Sequence, residues 1–461
     1  MPEVILERDK EQRVLRSRAT QTMSDAVAAQ KNPGPMEMKF EHARLGTTNN
    51  LKSQILSFTI LLLLAQNVLL AQEYSFDPEQ FEKKPYEFIG SFKIQPEIAF
   101  LNNSSKLYSL SFFNKKKKDY RDSYFGSIRL KASYEYSKCK FFLDFKNQLT
   151  FTTNDDFEND FKIYGLYNNV DFSTNFSMQV GKKAVKWGKG YIWNPVSFAG
   201  RQKDINDIDT GLEGFWMLKL DYVKSLSGVI QNLAITPVII PVTSYMNEEF
   251  QKGNSLIFIL KNSLLLYNTD LDFYLSMEDG NFQRFGIDFA KNILPNWEIH
   301  GEYVFEKKGI IEFCNSSYEI EREISERNSY LLGSRILFAT NTTMILEYLH
   351  NGSGLTEGQM RNFYNAVDLA ENLSKQFLMK DYLYLKLSQP EPFDILYFTP
   401  SVYILYNIND KSRMIGGELN YSRFENINLK LKCNLMLGDT DSEFGEKISS
   451  KKISFQVEYI F

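Results

Sequence analysis

Long stretches of alternating apolar and polar side chains constrain this chain more than any other feature. In residues 427–437, Ile427, Leu429 and Leu431 fall on one face, and Lys430 and Lys432 fall on the other. Successive side chains of a β-strand point to opposite faces, so such a stretch predicts a strand with one apolar and one polar side. Comparable stretches occupy residues 128–136, 141–151, 216–222 and 297–305.

Strand length separates a soluble sandwich from a membrane barrel. Sandwich strands average about 5 to 6 residues, whereas a tilted strand needs roughly 9 to 11 residues to cross a bilayer. Aromatic residues, which make up 15% of the chain, stand repeatedly near the ends of the stretches, as Tyr134, Tyr136 and Tyr222 do. Such girdles are typical of the two membrane interfaces. Because lipid tolerates no open sheet edge, the sequence predicts an all-β, transmembrane, antiparallel up-and-down β-barrel.

Residues 55–71, ILSFTILLLLAQNVLLA, indicate export. Basic residues precede this apolar run and polar residues follow it, as in a secretory signal peptide. The alternative is a membrane-spanning helix, which needs roughly 20 apolar residues, whereas Gln66 and Asn67 interrupt this run. We therefore predict a signal peptide.

The stretch ahead of the signal is polar and lacks a steady period, so we expect a disordered extension upstream of the true start at Met36 or Met38. The predicted organisation is an extension over residues 1–50, a signal peptide over 51–71, a short periplasmic segment over 72–87 and a barrel over 88–461.

The last strand ends the chain on an aromatic residue. Ile453, Phe455, Val457, Tyr459 and Phe461 share one face, with no residue after Phe461. This resembles the C-terminal signature by which Gram-negative outer-membrane barrels are recognised for insertion. The resemblance implies an outer-membrane protein in contact with lipids and lipopolysaccharide, with the barrel-assembly machinery as a partner.

The connections between stretches predict the number of strands. In barrels of this kind long loops face outward and short turns face the periplasm. The long connections are expected near residues 438–450, 350–378, 307–327, 242–254, 184–212, 153–160 and 113–121. Short turns are expected near Glu425, Gln389, Asn341, Leu294, Asn268, Ser225 and Asn169. Two further outer connections, near Asp410 and Gly280, are short. We predict about 18 strands starting near Phe88, with 16 as the alternative.

A barrel of this size holds an aqueous channel, whereas a plugged transporter needs about 22 strands. Basic and acidic side chains on the polar faces are the candidate pore residues. The basic ones lie near the two chain ends and the acidic ones about halfway round, so opposed walls could create a transverse field. They are Arg129, Lys131, Lys146, Lys430 and Lys432, and Glu298, Glu302 and Glu347. The alternative is a solvated lumen of mixed charge.

The connection over residues 184–212 concentrates basic and aromatic side chains. The candidate binding residues are Lys186, Trp187, Lys189, Tyr191, Trp193 and Arg201. The Trp-Gly-x-Gly-x-x-Trp-Asn-Pro stretch from Trp187 to Pro195 resembles loops of porin-like proteins, in the wider family that includes alginate-export-type and other substrate-specific barrels. The resemblance implies a loop that folds inward to narrow the pore. An outer loop packed over the rim remains the alternative.

The connection over residues 350–378 is predicted to contain a short helix. Thr356 and Gln359 have the spacing of a capping box, and Met360, Phe363 and Tyr364 then recur at helical intervals. Val367 continues that face in the predicted helix. An apolar helix face on an outer loop predicts packing against the barrel mouth or a neighbouring loop, or a lid.

Other functional classes lack their sequence features. With 57 acidic against 53 basic residues, a nucleic-acid partner is not expected. The three cysteines are scattered, and no metal site or cofactor is predicted. His300 and His350 accompany no nucleophile motif, and His300 is expected on a solvated polar wall, so no enzyme is predicted.

The sequence therefore predicts a porin for passive diffusion of small hydrophilic solutes, anionic or sugar-like among them, through a loop-constricted lumen. The alternative is a barrel that binds surface polymers or assembles capsule or exopolysaccharide. Nothing in the sequence marks a subunit face, so association into a homo-oligomer is left open.

Overall fold

Eighteen antiparallel strands close into one barrel, in which each strand pairs with its neighbours in sequence and the first also pairs with the last. The computed structural model describes residues 84–113, 116–152, 157–203, 211–248, 254–317, 319–365 and 379–461. The predicted extension and signal peptide, with residues 72–83, lie outside these ranges. The predicted fold class and the preferred strand number are confirmed, and the first strand begins at Tyr86, close to the expected Phe88.

The strands range from 8 to 18 residues. In chain order they are β1 (Tyr86–Leu101), β2 (Tyr120–Tyr136), β3 (Cys139–Thr152), β4 (Glu158–Asp171), β5 (Phe176–Lys183), β6 (Phe215–Ser225), β7 (Ile230–Val242), β8 (Ser255–Leu266), β9 (Thr269–Glu278), β10 (Asn281–Leu294), β11 (Trp297–Cys314), β12 (Ile320–Leu337), β13 (Thr343–His350), β14 (Asp381–Ser388), β15 (Phe398–Asn407), β16 (Arg413–Phe424), β17 (Ile427–Leu437) and β18 (Ser449–Ile460). Two α-helices, α1 (Lys106–Ser111) and α2 (Glu357–Asn365), and a 3₁₀-helix, Pro392–Asp394, lie in the described connections. No described helix is both long and apolar enough to span a membrane.

The connections follow the predicted alternation of long and short, with one clear error. The outer loop expected over residues 307–327 is wrong, because β11 and β12 stay paired up to Cys314 and Ile320, so that only five residues separate the two strands. The many charged residues of this stretch resemble a loop in sequence, but a hairpin beyond the bilayer tolerates polar side chains on both faces. The turn expected near Asn169 is also displaced, because β4 continues to Asp171.

The outward face of the barrel is apolar and its ends are aromatic. Exposed aromatic side chains near the short-turn end include Tyr134, Tyr136, Phe141, Phe172, Tyr222, Tyr267, Trp297 and Tyr459. Those near the long-loop end include Phe100, Tyr120, Tyr124, Phe151 and Phe157. This is the arrangement expected of a barrel embedded in lipid, with its aromatic girdles at the two interfaces.

The chain terminus takes part in closing the barrel. The backbone N–H of Phe461 donates to the Gly90 carbonyl at 2.8 Å, and the Gly90 N–H donates to the Phe461 carbonyl at 2.6 Å. A Cβ at Gly90 would lie 2.3 Å from the Phe461 ring. The aromatic C-terminus therefore fits over a strand of the first hairpin, where only glycine leaves room for the ring.

The predicted helix on the long outer connection is confirmed as α2. The Thr356 N–H donates to Gln359 Oε1 at 2.9 Å, and the Gln359 N–H donates to Thr356 Oγ1 at 3.4 Å, which is the reciprocal pattern of a capping box. Met360, Phe363 and Tyr364 are buried. They pack in one cluster with residues of β11 and β14 at the barrel mouth. Val367 lies outside the described residues.

Candidate functional site

The connection between β5 and β6 leaves the barrel wall partway up and enters the lumen. β5 pairs only with residues 166–171 of β4, so the upper part of β4 has no β5 partner. The first residue of β6 pairs with the last residue of β5 at the same height. We call residues 184–214 the inward loop; residues 184–203 and 211–214 are described.

Glu302 on β11 is the first anchor of the inward loop. Its Oε1 accepts hydrogen bonds from the backbone N–H groups of Lys189 at 2.7 Å and Gly190 at 2.8 Å, and from Asn194 Nδ2 at 3.1 Å. Its Oε2 accepts the Val196 N–H at 3.2 Å. The carboxylate is only 4% exposed. One buried side chain of the wall therefore fixes both ends of the loop tip.

Glu347 on β13 is the second anchor. It accepts the backbone N–H groups of Tyr191 and, at 3.1 Å, Ile192. His300 Nε2 lies 3.1 Å from the same carboxylate. The Tyr191 hydroxyl donates to Glu298 at 3.2 Å. Together, Glu302 and Glu347 accept hydrogen bonds from five backbone N–H groups of the loop, those of residues 189–192 and that of Val196. These bonds hold the turn rigidly.

Two glycines make this turn possible. Gly188 has φ +94°, a conformation that residues with a side chain rarely adopt. A Cβ there would also lie 2.6 Å from Glu302 Oε1. A Cβ at Gly190 would lie 2.0 Å from the Trp193 carbonyl oxygen. The Gly-x-Gly spacing that the sequence displays is thus required by the close approach of the loop backbone to the wall and to itself.

Aromatic side chains of the loop fill the space between loop and wall. Trp187 packs on Tyr274 with ring centroids 5.7 Å apart. Trp193 contacts Tyr382 and Tyr384 at 6.1 Å and 6.2 Å. Trp193 belongs to the same buried cluster as the apolar face of α2. The loop is therefore packed on one side of the lumen and is continuous with the helix at the mouth.

Ionic contacts also join the inward loop to strands β8, β9 and β10. Lys189 Nζ lies 3.1 Å from Asp272 and 3.8 Å from Asp288, which are directly opposite each other on β9 and β10. Lys261 adds a second ammonium 2.9 Å from Asp272. The Tyr274 hydroxyl donates to Asp288 at 2.7 Å. The charges beneath the loop are thus largely paired with each other.

The returning segment of the loop is held by its own cations. Lys203 Nζ donates to the carbonyl oxygens of Gly190 at 3.0 Å and Tyr191 at 2.8 Å. Burial lowers the pKa of Lys203 below the ordinary lysine value. Burial, with the neighbouring Glu298, raises the pKa of Tyr191 to about 12. Arg201 lies 3.7 Å from Glu213, while the side chain of Lys186 is exposed.

The opposite side of the lumen carries the predicted basic residues, which we call the basic wall: Arg129 and Lys131 on β2, Lys146 on β3, and Lys430 and Lys432 on β17. These strands lie close together because β17, β18, β1, β2 and β3 are consecutive around the closed sheet. Arg129 forms a bidentate pair with Asp144, with both distances 2.8 Å. Lys430 and Lys432 lie 3.0 Å and 3.7 Å from Glu418. The wall is therefore basic but partly compensated.

All the predicted site residues belong to the lumen. The loop residues and the three glutamates lie on one side of it, and the basic wall lies on the other. Glu302 and Glu347 lie beneath the inward loop instead of facing open solvent. The expectation that His300 sits on a solvated wall is wrong: it is 1% exposed, between Glu298 and Glu347. Within the described ranges, no group of His, Cys, Asp and Glu has an arrangement suited to a metal ion.

Several residues of the site were missed from the sequence. Asp272, Asp288, Tyr274, Tyr382 and Tyr384 all hold the loop. The strand alternation places each of them on the lumen face, which is the one signal that could have found them. Alternation alone does not reveal that loop residues more than 80 positions away in the chain would cover them.

Comparison with known structures agrees with this architecture. A BenF-like porin from Pseudomonas fluorescens superposes with a TM-score of 0.50 at 11% identity, covering 82% of this chain and 99% of that chain. Wzi, an outer-membrane protein of Escherichia coli involved in group 1 capsule assembly and a carbohydrate-binding β-barrel, gives 0.51 at 11% identity, with 82% and 85% covered. The chain matches no protein-family model and no curated protein sequence.

At this level of identity the likeness concerns the fold alone. The chain has the closed β-barrel fold of porin-like proteins, which confirms the fold that the sequence resemblance implied.

Proposed function

We propose that this protein is an outer-membrane channel through which small hydrophilic solutes diffuse passively. An 18-stranded barrel is wide enough to hold an aqueous path. The inward loop occupies one side of the lumen, so the remaining path runs between the loop and the basic wall. The observation that carries this proposal is the anchoring of the loop tip by Glu302 and Glu347, since a loop fixed in this way narrows the lumen permanently.

We further propose that the path favours anions. Lys186 and Lys203 of the loop and the five cations of the basic wall flank it from both sides. Glu302 and Glu347, which the sequence suggested as an acidic wall, are occupied by loop amides. The transverse field across the lumen is therefore weaker than the field between two solvent-exposed walls of opposite charge. The excess of basic groups along the path becomes the dominant electrostatic feature.

Planar-bilayer conductance of the chain from Gln72 onward tests both proposals. Stable open-channel steps with anion selectivity are expected. The double variant Lys430→Glu/Lys432→Glu should shift selectivity toward cations. Its control, Lys307→Glu/Lys308→Glu, makes the same change of charge on the exposed β11–β12 hairpin and should leave selectivity unchanged. A stable wild-type channel whose selectivity is insensitive to the wall variant would contradict the electrostatic part.

A surface-polymer binding or capsule-assembly barrel is the second candidate. The observation that favours it is the packing of α2 with the buried cluster at the barrel mouth, close to the inward loop. A helix packed in this way at the mouth suits a barrel that binds a polymer there and conducts poorly. A folded barrel without conductance that retains an acidic polysaccharide on a gel-shift assay would favour this candidate over the channel.

We also propose that Phe461 serves recognition by the barrel-assembly machinery, as the C-terminal resemblance implies. The closing contact with Gly90 supports a role for this ring after insertion as well. Comparing a chain that lacks Phe461 in assembly-machinery vesicles and in detergent refolding separates the two roles. A defect confined to the vesicles is expected for recognition, and an equal defect in both would indicate closure alone.

A further inference from the structure

A cavity of about 310 Å³ opens from the lumen into the wall formed by β1 to β5. It is separate from Glu302 and Glu347, the two residues that hold the loop tip. Leu212, on the returning segment of the inward loop, closes one side of it. Its volume is at the lower end of the range for small-molecule sites, roughly 300–1,000 Å³, and corresponds to about ten water molecules.

The cavity has an apolar floor, which is unusual for the inside of a water-filled barrel. Phe142 and Tyr167 lie directly opposite each other on β3 and β4. Their rings are stacked with centroids 4.7 Å apart and an interplanar angle of 17°. Ile89 and Leu212 add aliphatic surface. Burial of apolar ligand surface against these side chains would be favourable.

Cations stand beside this floor. Lys183 Nζ lies 4.6 Å from the centroid of Tyr167, and Lys131 also lines the cavity. Two carboxylates, Glu87 and Asp144, also line the cavity, and Asp144 is held in the bidentate pair with Arg129. The Arg129 guanidinium lies 4.5 Å from the ring centroid of Tyr164. With Arg129, three cations face the two carboxylates, so the cavity wall keeps an excess of one positive charge next to an apolar surface.

We propose that this cavity binds a small organic anion with an apolar body, the anionic group meeting Lys183 and Lys131 and the body lying on Phe142 and Leu212. The inference rests on the proposed channel function, in which such a solute would pause here beside the constriction. Neutral polar solutes lack a partner for the cations, and organic cations would be repelled by them.

Straight-chain acids of increasing length measure the two halves of the site separately. Each buried methylene should raise affinity roughly fourfold, so hexanoate, which has two more methylenes, should block the open channel at a concentration about sixteen times lower than butyrate does. Hexylammonium should not block. Phe142→Gln should remove the difference between the two acids, whereas Lys183→Gln should weaken both and preserve the difference.

The matched control is Lys308→Gln, which removes an exposed lysine of the β11–β12 hairpin, away from the cavity, and should leave both acids unaffected. Leu212→Asn serves as a second apolar variant on the loop, should Phe142→Gln fail to give a folded barrel. Equal block by butyrate and hexanoate in the wild type would overturn the proposal. So would a hexanoate affinity that Lys183→Gln and Leu212→Asn leave unchanged.

Calorimetry measures the binding of the same acids to detergent-folded protein without requiring conductance. It therefore separates this inference from the channel function. Calorimetric binding with the expected chain-length dependence, in a barrel that does not conduct, would reject the channel and keep the site. Conductance without calorimetric binding or block would keep the channel and reject the site.

Discussion

Replacing Glu302 with glutamine should release the inward loop from the barrel wall. In the native protein its two carboxylate oxygens accept four hydrogen bonds from the loop, three of them on Oε1. Glutamine has the same shape but only one acceptor oxygen and no charge. If the amide oxygen keeps the three donors at Oε1, its NH₂ group faces the N–H of Val196, and two donors then oppose each other.

The cost follows from these contacts. A hydrogen bond to a charged group contributes about 1.5–3 kcal/mol and one between neutral groups about 0.5–1.5 kcal/mol, so each of the three retained bonds weakens by roughly 1 kcal/mol. The unpaired Val196 N–H adds about 1–3 kcal/mol. The docked state of the loop should therefore lose about 4–6 kcal/mol. At 1.4 kcal/mol for each factor of ten, the ratio of docked to released loop falls by roughly a thousandfold or more.

Single-channel recording detects the released loop as a state of higher conductance with increased current noise. The control is Glu298→Gln, which removes the same charge from the same strand but breaks only contacts with the Tyr191 hydroxyl and His300. Glu302→Gln should populate the high-conductance state and Glu298→Gln should not. If both variants keep the native conductance and noise and differ from the wild type only in selectivity, the anchoring argument is refuted.

Three further outcomes are expected. Trp193→Ala should destabilise the loop and the mouth by about 3–5 kcal/mol, the usual cost of truncating a buried tryptophan; an unchanged urea midpoint would contradict this. Gly90→Ala should reduce the heat-modifiable folded fraction through overpacking of about 1–3 kcal/mol, because its Cβ would lie 2.3 Å from the terminal aromatic ring, whereas Gly126→Ala, with no atom within 4 Å of the new Cβ, should fold normally. Finally, because burial lowers the pKa of Lys203, its positive charge is lost as pH rises before an ordinary lysine titrates at about 10.4. Anion selectivity should therefore begin to fall early, and Lys203→Gln should reduce this early phase; Tyr191, whose pKa is about 12, does not ionise in that range.

Features with a short-range physical cause could be predicted from the sequence. Alternation along each strand determines which residues face lipid and which face the lumen, and β17 is paired as its pattern predicts. The capping box of Thr356 and Gln359 predicts α2, since both partners lie within one helical turn. The Gly-x-Gly spacing at residues 188–190 predicts a tight turn, although the pattern does not identify the wall that the turn approaches.

The errors arise where a residue's environment is created by a distant segment. His300 lies on the polar side of an alternating strand, so a solvated position is the natural expectation; the loop that buries it begins more than 100 residues earlier in the chain. The hairpin at residues 307–327 is highly charged, and its pairing beyond the membrane depends on the backbone and on packing against α2, which leave no alternating pattern to recognise.

The sequence by itself determined the closed sheet, its strand number and the sidedness of each strand, because the pleat has a period of two residues and lipid requires every strand edge to be paired. Only the tertiary structure decided what the lumen-facing charges do. Glu302 and Glu347 differ from Glu298 in nothing that local sequence records. The inward loop runs over Glu302 and Glu347, so these two side chains bind its backbone, whereas Glu298 contacts only the Tyr191 hydroxyl of the described part of the loop. The difference arises because hydrogen bonding and burial depend on which groups meet across the lumen.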